Sequence, residues 1–112
     1  MSVTLDDQQL DALFTALSDR TRRDIVTRLT TGQATVKELA EPYAMSMQAV
    51  SQHIRVLERA GLISQGRHRQ SRPCRLEPAA LEAALSWIEQ SRQAWADRLD
   101  RLETHLAHLQ EG

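Results

Sequence analysis

The sequence predicts a mainly α-helical fold with one small β-hairpin and a long C-terminal helix. Three observations carry that prediction. Only three prolines and four glycines fall within 112 residues, so helices can run with few interruptions. Apolar residues recur at spacings of three and four, the helical period, through much of the chain. After Gly61, two short runs flank a polar, arginine-rich loop, which is the pattern of a hairpin.

The first helix reaches Leu17, with Thr4 placed to cap it and Leu10, Leu13, Phe14 and Leu17 on one face. Asp6, Asp7 and Asp11 suit its electropositive N-terminal end. Ser18 or Asp19 restarts the chain into a second helix over residues 20–29, with Ile25, Val26 and Leu29 apolar and Gly32 closing the unit. Thr35 and Glu38 have capping-box spacing, so each side chain can satisfy the other's backbone donor. A short helix follows through Leu39 and Ala40, stops near Pro42, and turns at Tyr43-Ala44-Met45.

The next helix, residues 46–61, has a marked start and stop. The Ser46 hydroxyl can cap it, and Gly61 can take the left-handed conformation that ends it. Met47, Val50, Ile54 and Leu57 share one face, while Gln48, Ser51, Gln52, Arg55 and Arg59 occupy the other. Two helices joined by a tight turn, the second with a polar outer face, make a helix-turn-helix. Residues 62–65 and 72–76 then read as two strands around the loop 66–71, with Pro73 suited to an edge strand only. A hairpin with a basic tip placed after a helix-turn-helix is a wing, able to lie along a sugar–phosphate backbone.

Pro78 starts the last helix, residues 78–110, where its missing N–H costs nothing. Leu81, Leu85, Ile88, Arg92, Trp95, Leu99, Leu102, Leu106 and Leu109 alternate spacings of four and three without a slip, a heptad seam with Arg92 as its polar break. One domain of residues 1–112 is expected, and so short a chain does not easily bury such a stripe alone. The seam is therefore expected to pair with its copy, with Leu10, Leu13 and Leu17 assisting. Trp87 and Trp95 are expected to fill core or interface.

The formal net charge of −1 does not suggest nucleic acid, but its distribution does. Residues 46–75 hold six arginines and the single acid Glu58, whereas the remainder holds eight basic and fourteen acidic groups. A positive block in an otherwise acidic chain is an electrostatic footprint for phosphate. The expected DNA-contacting residues are Ser46, Gln48, Ala49, Ser51, Gln52, His53, Arg55 and Arg59 on the helix. Arg67, His68, Arg69 and Arg72 join them in the wing. Amides and guanidinium groups are the side chains that read base edges and hold phosphates. No apolar run approaches the length of a membrane span or signal peptide, so a cytoplasmic protein without membrane contact is expected. One cysteine excludes an intramolecular disulfide. No nucleophile–base order, glycine-rich phosphate loop or carboxylate pair suggests an enzyme.

Three stretches, ALSDRTRRDIVTRL, VKELAEPYAMSMQAVSQHIRVLERAGLI and GRHRQSRPCRLEPAAL, resemble the ArsR/SmtB family of bacterial winged helix-turn-helix repressors. The resemblance covers roughly residues 14–81, and the long last helix fits that family's dimerisation element. It implies a homodimer that binds duplex operator DNA and represses transcription, with residues 46–60 of each subunit in the major groove. The ending is similar to a subgroup without the family's metal sites. Where the family's thiolate site needs two cysteines, this chain has Thr35 and Lys37. Where its site on the last helix needs carboxylate and imidazole ligands, this chain has Pro78, Ala80, Ser91 and Ala94. No metal or cofactor is therefore expected. Cys74 reads as a half-buried structural residue and His105 and His108 as solvated. Two other readings stay open: a winged-helix module that grips another protein through the long helix, and a metal or redox sensor using a site outside the family's pattern. The operator, the regulated genes and any small-molecule effector are not legible.

Overall fold

A computed structural model of the chain describes residues 6–66 and 73–111. In chain order, the elements are α1 Asp7–Leu17, α2 Arg20–Leu29, β1 Ala34–Thr35, α3 Val36–Ala40, α4 Met47–Arg59, β2 Ile63–Gln65, β3 Pro73–Leu76 and α5 Pro78–Glu111. This is the mainly helical, winged helix-turn-helix architecture expected, with one strand more than anticipated.

Most helix starts carry their own chemistry. Asp6, not Thr4, caps α1: its carboxylate accepts the Gln9 N–H at 2.8 Å, and the Gln9 side chain accepts the Asp6 N–H at 3.0 Å. Thr4 lies outside the described residues. Asp19 rather than Ser18 caps α2, accepting the Arg22 N–H at 3.0 Å. The Thr35–Glu38 capping box forms as its spacing requires, at 3.0 and 3.1 Å. Pro78 is the first residue of α5.

One core joins the elements. Leu13 and Ala16 of α1 meet Ile25, Val26 and Leu29 of α2, Leu39 of α3, and Val50, Ile54 and Leu57 of α4. Leu62, Ile63, Cys74 and Ala84 close it from the sheet and from α5. Each of these residues removed from water contributes to the hydrophobic term that holds so small a domain.

The sheet is antiparallel in the order β1-β3-β2. Ala34 and Thr35 pair with Cys74 and Pro73, while Ile63, Ser64 and Gln65 pair with Leu76, Arg75 and Cys74. β1 escaped sequence reading because two residues show no alternation. Its second residue, Thr35, also caps α3. β3 is thus central, and Pro73 is not on an edge strand. It is tolerated as the first residue of β3, where it still offers a carbonyl, which accepts the Gly66 N–H at 2.9 Å.

The first turns of α5 bury Ala83 and Ala84; beyond them, its apolar stripe faces outward. At 34 residues, the helix extends well past the body and gives the molecule a longest dimension of 74 Å. No helix among the described residues is long and apolar enough to cross a membrane.

Candidate nucleic-acid interface

α4 is fixed at both ends. The Ser46 hydroxyl accepts the Ala49 N–H at 3.1 Å. At the far end, Gly61 takes φ +78°, its N–H donates to the Glu58 carbonyl at 3.0 Å, and the Leu62 N–H donates to the Leu57 carbonyl at 3.0 Å. That pair of bonds is the Schellman stop, and the buried Leu57 and Leu62 supply the apolar contact that accompanies it.

Val50, Ile54 and Leu57 are fully buried, as expected. Met47, expected with them, is 48% exposed. It is the first residue of the helix, and side chains lean back toward a helix N-terminus, which carries this one past the edge of the core. Gln48, Gln52, Arg55 and Arg59 are exposed on the opposite side, with Ser46 at the cap and with Ala49 and Ser51 half-buried on the flanks.

His53 departs from the expected outward face. It is half-buried and turned toward α2, where its Nδ1 accepts a guanidinium N–H of Arg22 at 3.2 Å, with the Asp19 carboxylate 3.9 Å away. The turn before α4 is likewise tied to α2. Arg28 donates to the Leu39 and Glu38 carbonyls at 2.8 and 3.0 Å, and its guanidinium lies 5.7 Å from the centre of the Tyr43 ring. The Tyr43 hydroxyl donates to Asp24. Partial burial, reinforced by Asp24, raises that hydroxyl above the usual tyrosine range. These fasteners went unread in the sequence because residues ten to thirty-one apart carry no local periodic signal.

In the wing, Arg67, His68, Arg69 and Arg72 lie outside the described residues. Its base is described: Ser64 donates to Glu77 at 2.5 Å, and Arg75 is exposed. Cys74 is fully rather than half-buried, and burial, with Glu58 adding to it, pushes its thiol up to about 11.

The α5 stripe is open: Leu85, Ile88, Trp95, Leu99, Leu102, Leu106 and Leu109 are all exposed. Leu13, expected to help join subunits, has no surface left to offer, since it is completely buried in its own chain's core. Leu10 and Leu17 are half-buried. Phe14 of α1 meets Trp87 of α5 edge to face within the chain, with ring centres 5.6 Å apart. Arg92 is paired along its own helix, donating twice to Glu89 at 2.9 and 2.6 Å.

Comparison with known proteins agrees with this geometry. Residues 17–65 match the family described as "Helix-turn-helix domain". The chain is 42% identical over 73 residues to the HTH-type transcriptional regulator Rv2034 of Mycobacterium tuberculosis, covering 65% of this chain and 68% of that one. It is 32% identical over 79 residues to the transcriptional repressor SdpR of Bacillus subtilis, covering 70% and 88%. The crystal structure of an ArsR family transcriptional regulator superimposes with a TM-score of 0.78 at 34% identity, covering 84% and 97%. These relatives are transcriptional regulators and not enzymes. The chain thus belongs to the ArsR family of winged helix-turn-helix transcriptional regulators.

Proposed function

We propose that the protein is a homodimeric repressor, a single domain per subunit, that binds a palindromic operator in the cytoplasm. The observation that carries this reading is the division of labour between two unpartnered faces of one chain. α4 turns Gln48, Gln52, Arg55 and Arg59 to solvent from a helix whose other side is locked in the core. α5 exposes an apolar stripe too long for the chain to cover. A helix-turn-helix dimer reads half-sites about one DNA turn apart, roughly 34–36 Å, so the joint between subunits sets the operator's spacing.

In this reading Gln48 and Gln52 reach base edges, with amides matched to adenine in the major groove. Arg55, Arg59 and the wing arginines hold phosphates and set register. The relative named as a repressor, SdpR, supports repression as the outcome of binding.

The test uses operator and scrambled duplexes across a salt series. Affinity should fall steeply with salt as arginines displace counterions. Gln52→Ala should lose about 1–3 kcal/mol on operator alone, whereas Arg67→Ala and Arg69→Ala should weaken both duplexes alike. No binding to either duplex at low salt would overturn the reading.

A further inference from the structure

We propose that His53 is a positioning residue and not a reader of DNA: its hydrogen bond from Arg22 sets the recognition helix against the helices that carry the subunit joint. The assignment rests on the operator-binding reading above.

The geometry concentrates on one side chain. The Arg22 Nε donates to the Ala16 carbonyl at 2.7 Å, and a second guanidinium nitrogen donates to the Thr15 carbonyl at 3.1 Å. Both carbonyls belong to the last turn of α1, where helical donors run short; the Thr15 carbonyl also accepts the Ser18 N–H at 3.1 Å and its hydroxyl at 2.6 Å. The third guanidinium nitrogen meets the His53 Nδ1 at 3.2 Å. One arginine of α2 therefore ties the end of α1 to the middle of α4. α1 in turn meets α5 through Phe14 and Trp87. A continuous path runs from α5 through α1 and Arg22 to the recognition helix.

This path requires a particular state of the imidazole. Guanidinium donates and cannot accept, so in this contact Nδ1 presents its lone pair. The charged groups bearing on the ring are Arg22 and the α2 cap Asp19, while α1 contributes only carbonyls at this corner.

The experiment compares wild type, H53N and H53L by fluorescence anisotropy on operator and scrambled duplexes, with sedimentation to establish oligomeric state. Asparagine can offer a carbonyl acceptor near the place of Nδ1; leucine cannot. H53L should lose on the order of tenfold on operator with little change on the scrambled duplex, the scale of one charge-assisted hydrogen bond between elements. H53N should stay close to wild type near neutral pH. If H53L does not fold, H53A, which equally lacks an acceptor at this place, is compared with H53N instead. H53L binding operator like wild type, equal losses on both duplexes, or H53N losing as much as H53L would each overturn the assignment. Wild type that binds neither duplex would overturn the operator reading itself.

Discussion

Replacing Trp95 with alanine should separate the subunits while leaving each chain folded. Trp95 is 59% exposed and sits midway along the stripe, with the Arg98 guanidinium 6.0 Å from its ring centre. Truncating a large aromatic in a closed core costs about 3–5 kcal/mol. More than half of this side chain is still open in the single chain, so about half of that value, roughly 2 kcal/mol, belongs to the face each subunit offers its partner. Two-fold symmetry doubles the loss to roughly 4 kcal/mol, about a thousandfold in the dimer dissociation constant. Sedimentation velocity over a concentration series measures that constant directly, and circular dichroism under the same conditions reports the fold. Operator binding should fall in step with dimer population, whereas weak binding to scrambled DNA should survive. A wild-type chain that sediments as a monomer at high concentration would refute the reasoning. So would a Trp95→Ala chain with an unchanged dissociation constant.

Leu13→Ala should do the opposite. It empties a fully buried core position, so unfolding stability should drop by about 2–5 kcal/mol in denaturant melts, with no selective effect on association. Asp19→Ala should cost about 1 kcal/mol at neutral pH through loss of the α2 cap. The Arg22 main-chain N–H, foremost, holds the Asp19 carboxyl below its ordinary value of 3.8. A depressed folded-state value stabilises above the unfolded one. The difference between Asp19→Ala and wild type should therefore be complete above about pH 4 and shrink as pH falls below that, which melts at pH 7 and pH 3 would check. Equilibrium dialysis with zinc should find no stoichiometric high-affinity site; binding that His105→Ala abolishes, coupled to release from DNA, would show the contrary.

Much of the fold was legible because its signals are local. The Thr35–Glu38 box, the Ser46 cap and the Gly61 stop each lie within four residues of the backbone groups they satisfy. The buried face of α4 follows from the helical period. What was illegible depends on tertiary placement. Leu13 and Phe14 are adjacent on the same helix, and the period puts both on its apolar side. Only the packing of α2 and α5 sends Leu13 into the core and Phe14 onto Trp87. His53 shares a polar character with Gln52, but one helical step of 100° turns it from the solvent face to α2. The central position of β3 required β1, whose two residues carry no period of their own.

The arginines of α2 show why composition alone misplaces a DNA interface. Arg22, Arg23 and Arg28 crowd one short helix, and their count would suit a phosphate-binding element as well as the wing does. Yet each is engaged at the C-terminal end of another helix. Arg22 and Arg23 donate to the Thr15, Ala16 and Leu17 carbonyls of α1, the last at 2.9 Å, and Arg28 donates to Glu38 and Leu39 of α3. Those carbonyls lie in the last turns, where helical donors run short, and carry the negative end of the helix dipole, so a cation there meets both needs at once. A forked guanidinium can bridge two carbonyls, which a lysine ammonium does with less geometric definition. The charge of α2 thus holds α1 and α3 in place around α4. Among the described residues of the helix-turn-helix and wing, the arginines the fold leaves turned outward without such an engagement are Arg20 at the start of α2, Arg55 and Arg59 on the recognition helix and Arg75 at the wing's base.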